Sequence, residues 1–91
     1  MAKIRVGEYI AKIAGGKKEF EYSGSTVEEV ISCFAADNEK LKERFYPSGD
    51  GSFNKNLIIF VDGEDIRFKK HMKTEIKEDS EISIISPYAG G

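Results

Sequence analysis

Ninety-one residues with 14 basic and 16 acidic side chains carry a net charge of −2. That length makes one domain with no room for a second core, and that balance gives no reason to expect nucleic acid or an anionic membrane as partner. A charged fraction of 33% and an apolar fraction of 40% are ordinary for a water-soluble globular chain. No apolar run approaches a transmembrane span, and the opening MAKIRVGEYI lacks the apolar stretch of a signal peptide. Cys33 is the sole cysteine, so an internal disulfide is impossible and a reducing compartment fits. A cytoplasmic protein, monomeric when alone, is expected.

In chain order, residues 3–8 alternate Ile4 and Val6 with charged neighbours, the pattern of a half-buried strand. The stretch YIAKIAGG breaks the alternation and ends in Gly15-Gly16, a turn signal. KKEFEYSG alternates again, with Phe20 and Tyr22 on one side. Two strands joined by a glycine-ended loop are predicted. A helix follows: Ser25 with Glu28, and Thr26 with Glu29, both have capping-box spacing. Val27, Val30, Ile31 and Phe34 recur as one helix face does. Leu41 and Phe45 extend the apolar face through a second turn or short helix, which Pro47 stops before the loop SGDGSFNK.

Leu57 to Val61 is an unbroken apolar run, too short for a helix and read as a strand with both faces in use. Asp62-Gly63 is a favoured type I′ hairpin pair, predicted to turn the chain into a strand over Glu64–Phe68. Residues 69–80 are polar and irregular, with Met72 and Ile76 as core plugs. EISIIS is the last strand, ended by Pro87, which has no N–H to continue a ladder. One helix against one face of a mixed sheet is an α+β layer design. The helical crossover allows the first and last strands to pair in parallel.

The sequence then closes on SPYAGG. Glycine loses more conformational freedom on ordering than any other residue, so a terminal pair suits a packed structure poorly. At average glycine usage, two in a row at one given place occur about once in 200 chains. A frayed tail is one reading; a carboxylate carried on a thin stalk as the working part is the other.

The ordered set KIRV, AGGKKEFEY, STVEEVI, LIIFVDGEDIRF, IKEDSEISIIS and the final AGG resembles the ubiquitin-like sulfur carriers, above all the small subunit of molybdopterin synthase. The resemblance implies a β-grasp fold, α+β, with a mixed sheet of about five strands on one main helix. It also implies a domain over residues 1–86 and a flexible tail over 87–91. The family usually places Gly-Asp before the last strand, where this chain has Asp79-Ser80; aspartate tolerates the left-handed conformation. Ser86, Pro87 and Tyr88 stand where the family often has two prolines and an aliphatic residue.

On that resemblance Gly91 is the adenylation and thiocarboxylate site. A ubiquitin-activating-like adenylyltransferase, using ATP, would make an acyl-adenylate there. A sulfur donor would displace AMP, and a sulfur-accepting enzyme such as the large subunit of molybdopterin synthase would take the sulfur. The carrier itself would bind no cofactor or metal and supply no catalytic residue. Pro87, Tyr88, Ala89, Gly90 and Gly91 would thread into a partner, reaching at most about 17 Å when extended. Carriers for cysteine or thiamine synthesis, a modifier joined to lysines by isopeptide bonds, and a plain interaction domain are the other readings.

Strand parity puts Ile82 and Ile84 on the helix side with Leu57, Ile59 and Val61, and Ile58, Phe60 and Ile85 on the open side. An exposed apolar cluster of that kind marks a docking face, unless neighbouring loops cover it. Cys33, near the apolar stripe, reads as a buried inert thiol. His71 reads as a lone surface histidine, and Lys69, Lys70 and Lys73 as a solvated basic cluster.

Overall fold

The computed structural model describes residues 1–87. Strand β1 (Ala2–Val6) buries Ala2, Ile4 and Val6 and exposes Lys3 and Arg5. The expected loop after it is instead a short helix, α1 (Glu8–Ile13). Tyr9, Ile10, Ile13 and Ala14 are spaced to share one side of a helix, and Ile10 and Ala11 enter the core. Gly15 and Gly16, at φ of 85° and 96°, end it. L side chains resist that conformation, so the two glycines terminate α1 before β2 (Glu19–Tyr22) begins.

Helix α2 (Val27–Ala36) starts where Thr26 Oγ1 accepts the Glu29 N–H at 3.2 Å. The Glu29 carboxylate reaches back to the Ser25 N–H at 2.8 Å. Of the two predicted capping boxes, the Thr26–Glu29 pair supplies the cap. Val27, Val30, Ile31 and Phe34 are all buried. Asn38 caps α3 (Glu39–Phe45), which buries Leu41 and Phe45.

The sheet order is β2-β1-β5-β3-β4. The first strand and β5 (Glu81–Ile85) pair in parallel at the centre, with Ile4 opposite Ile82. Strand β3 (Ile58–Val61) runs antiparallel to β5, and Leu57 packs on the core just before it. The helices cover the face carrying Ile4, Ile82, Ile84, Ile59 and Val61, all buried. No helix among the described residues is long and apolar enough to cross a membrane.

Two turns depart from expectation. Asp62 (φ 50°) and Gly63 (φ 86°) form the predicted left-handed pair, but β4 is only Glu64–Asp65. Asp65 then accepts the Arg67 N–H at 2.9 Å, and this capping bond turns Ile66–Phe68 into a 3-10 helix in place of a longer strand. Before β5, Asp79 is not left-handed; outside glycine, positive φ among the described residues falls on Asp62 and His71. Ser80 closes that turn instead: its N–H donates to Lys77 O at 3.1 Å, and its buried hydroxyl accepts the Lys77 N–H at 2.9 Å. Ile76 is buried and Met72 packs against the core.

Candidate docking face and tail exit

The centre of the sheet ends at the site. Because β5 lies between β1 and β3, the chain leaves the sheet from its middle. Ile84 is fully buried, and its carbonyl accepts the Gly7 N–H at 3.2 Å. Ser86 is buried and Pro87 exposed. The last described residues therefore step from core to solvent within one peptide. A shallow cleft of about 440 Å³ lies there, lined by Arg5, Gly7, Ser83, Ile85, Ser86 and Pro87 among others. Tyr88, Ala89, Gly90 and Gly91 lie outside the described residues.

On the face turned from the helices, register brings Ile58 opposite Ile85 and Phe60 opposite Ser83. Ile58, Phe60 and Ile85 are each half-buried, so the patch is partly covered and still reachable. The other half of the same face is charged. Arg5 lies across from Glu19 in one direction and Ser83 in the other. Its guanidinium reaches Glu19 at 3.3 Å and Glu81 at 3.6 Å. Both pairs are exposed, so they orient Arg5 more than they stabilise the fold. Apolar patch and ionic lattice meet at Ser83, one residue pair from the tail exit.

Cys33 is exposed, which corrects the expected burial. At about 100° per residue it stands roughly 60° from Val30 and 100° from Phe34, at the margin of the stripe and outside it. His71 is exposed, with its backbone at φ 54°. Lys69, Lys70 and Lys73 are exposed, and Lys69 reaches Glu64 at 3.6 Å. Sequence reasoning missed two residues near this end of the sheet. Arg5 was legible only as strand alternation, although its cation reaches Glu19 in register on one strand and Glu81, two residues off register, on the other. Phe68 was assigned to a strand, yet it is 85% exposed; its signal was an aromatic set between cations in IRFKK.

The ThiS family profile matches residues 4–91, through the final glycine pair. The chain belongs to the ThiS family. The sulfur carrier protein CysO of Mycobacterium tuberculosis is 35% identical to it over 78 residues, 85% of this chain and 84% of that protein. The solution structure of small archaeal modifier protein 1 from Methanosarcina acetivorans superposes with a TM-score of 0.88 at 25% identity, over 99% of this chain and 95% of that one. CysO in the Amycolatopsis orientalis BexX/CysO complex matches with a TM-score of 0.85 at 24% identity over the whole of both chains, a likeness of fold. The fold is the ubiquitin-like β-grasp, and this carrier is a non-catalytic member of a sulfur carrier family.

Proposed function

We propose that Gly91 is the working residue and that the carrier delivers sulfur from it as a thiocarboxylate. A carboxylate is a poor electrophile. Adenylation joins its oxygen to the α-phosphorus of ATP and expels pyrophosphate, so that AMP becomes a leaving group. A sulfide-bearing donor then attacks the acyl carbon, AMP departs, and sulfur takes the place of one terminal oxygen. The thiocarboxylate sulfur then attacks an electrophilic acceptor, whose leaving group departs, and water cleaves the acyl–sulfur bond, leaving sulfur on the acceptor and restoring the carboxylate with an oxygen from water. Gly90 and Gly91 have no Cβ, which lets the backbone approach the walls of a narrow active site closely.

The observation that carries this reading is the exit of the chain from the centre of the sheet at Ser86–Pro87, beside the half-buried Ile58, Phe60 and Ile85. A partner seated on that patch stands where the last residues begin, and those residues span at most about 17 Å. The match of the ThiS profile through residue 91 supports the same end of the chain as the working part. The A. orientalis CysO solved with BexX is a carrier of this fold held by another protein.

For the acceptor, the 35% identity to CysO carriers favours cysteine synthesis as first reading. Molybdopterin synthesis, which the motifs suggested, stands second. The likeness to a small archaeal modifier protein keeps conjugation to lysines as a third. Deleting Gly91 tests the shared premise of all three. The truncated protein is expected to keep its thermal midpoint, since residue 91 follows the buried core, and to lose ATP–pyrophosphate exchange with the cognate adenylating enzyme. Normal exchange by the truncated protein would overturn the proposal.

A further inference from the structure

Phe68 is the most exposed large apolar side chain among the described residues. A bare phenyl ring gains little from folding and much from being covered by a partner. Hydrogen bonds of its neighbours order the turn that carries it. The Arg67 guanidinium donates to both carboxylate oxygens of Asp65, with Nη2 on Oδ2 at 2.7 Å and Nε on Oδ1 at 3.2 Å. The Lys69 N–H donates to Ile66 O at 3.0 Å. Farther along, Thr74 Oγ1 accepts the Lys70 N–H at 3.1 Å and donates to His71 O at 2.7 Å. The ring is thus displayed by a fixed turn, which lowers the ordering cost of using it as an anchor.

The charge of the turn itself is basic. Residues 67–73 hold Arg67, Lys69, Lys70 and Lys73 and no acid. Setting those four aside leaves 10 basic against 16 acidic residues elsewhere, a net of −6. Arg67 and Lys69 are paired with Asp65 and Glu64. Lys70 and Lys73 make no ion pair among the described residues. A hollow of about 300 Å³ lies beside this turn, lined by Phe53, Leu57, Ile58, Ile66 and Met72 with Arg67 and His71. Ile58 belongs to the half-buried patch as well, so hollow and patch are continuous.

Topology fixes at which end of the sheet this turn lies. Strand β4 is antiparallel to β3, and β3 to β5, so β4 runs in the direction of β5. The turn that follows β4 therefore lies at the end of the sheet where the chain exits. Two strand spacings separate β4 from β5, about 10 Å, against a tail reach of about 17 Å. The turn that carries Phe68 is thus within the span of a protein that takes the tail.

We propose that Phe68, flanked by Lys70 and Lys73, is an anchor by which the carrier docks on its adenylating enzyme, at a slot that is apolar inside and rimmed by carboxylates. This rests on the reading of Gly91 given above. Adenylation is the step every thiolated tail must pass, whichever acceptor follows, so a surface built into the fold serves that partner first. A second copy of the carrier does not fit, because two such patches repel. A nucleic acid or anionic membrane does not fit either, because the rest of the molecule is acidic.

The test is ATP–pyrophosphate exchange by the cognate adenylating enzyme, with full-length carrier as the varied substrate. Phe68→Ala and the double variant Lys70→Glu/Lys73→Glu are compared with wild type, and circular dichroism checks that each is folded. Each variant is expected to raise the KM for carrier about tenfold or more, with kcat moving less than about twofold. Charge reversal is also expected to flatten the salt dependence of KM. Wild type that supports no exchange would overturn the reading of Gly91 itself. Wild type that supports exchange, with folded variants whose KM matches it, would overturn the anchor alone. So would variants that keep wild-type KM but lose binding to phosphatidylserine vesicles.

Discussion

Phe34, 1% exposed, stands among three rings: Phe20 at 4.5 Å, Tyr22 at 5.5 Å and Phe45 at 5.8 Å between centroids. It joins α2 to β2 on one side and to α3 on the other, so removing it opens a cavity between elements that cannot all close on it. Phe34→Ala is expected to cost about 3–5 kcal/mol in urea unfolding. A loss below about 1 kcal/mol would mean that the ring does not tie these elements together. Beside it, Tyr22 donates its hydroxyl to Asp37 Oδ2 at 2.7 Å. Burial first, and this hydrogen bond second, push its pKa from 10.0 up to about 12. The sign follows from the unfolded chain, whose phenol titrates near the ordinary value. The contribution of Tyr22 to stability is complete below pH 10 and is lost as pH rises through about 12. Absorbance titration of phenolate should show a late component that disappears in Tyr22→Phe and moves down in Asp37→Asn. A late component that survives in Tyr22→Phe would assign it elsewhere.

Among the elements, β3 and β5 carry both the core face and the proposed docking face of the sheet. Ile59 and Val61, with Ile82 and Ile84, face the helices, while Ile58, Phe60 and Ile85 face away. Phe60→Asp separates the two roles. The half-buried position across from Ser83 lets a carboxylate reach water, so circular dichroism is expected to show a folded domain. Calorimetric binding to the adenylating enzyme is expected to weaken by roughly 2 kcal/mol or more, about thirtyfold. A folded variant that binds like wild type would remove the open face from recognition. The parity of these strands was legible because successive side chains on a strand point to opposite faces, even along an unbroken apolar run. So was α2, whose four stripe residues and cap stand at helical spacing. Three features were hidden. Helix α1 has only six residues, less than two turns, and strand patterns on either side mask its period. Strand β4 stops at Asp65 through a local bond from the Arg67 N–H, while its apolar alternation runs on. The turn before β5 relies on the Ser80 hydroxyl, which composition alone does not distinguish from a surface serine.

For the whole molecule, the arrangement is polar end to end. The core binds helices to one face of the sheet. The chain exits from the middle strand. The half-buried patch, the arginine lattice and the Phe68 turn gather about that exit. The proposed tail chemistry rests on the final residues and their context, because its requirement is sparse backbone and a carboxylate. The proposed docking surface was legible only by halves: parity put Ile58, Phe60 and Ile85 on one face, while the exposure of Phe68 depends on a strand ending earlier than its pattern suggests. Binding surfaces built from several elements in this way leave no spacing in the sequence to read.

The central claim is that sulfur rides on Gly91, and the intact mass of the protein purified from its native cells tests it most directly. A fraction heavier by the difference between one sulfur and one oxygen atom is expected, lost on alkaline hydrolysis and located by fragmentation at Gly91. It should be absent from cells lacking the adenylating enzyme. A mass that matches the unmodified chain in cells growing under sulfur demand, with that enzyme present, would contradict the claim.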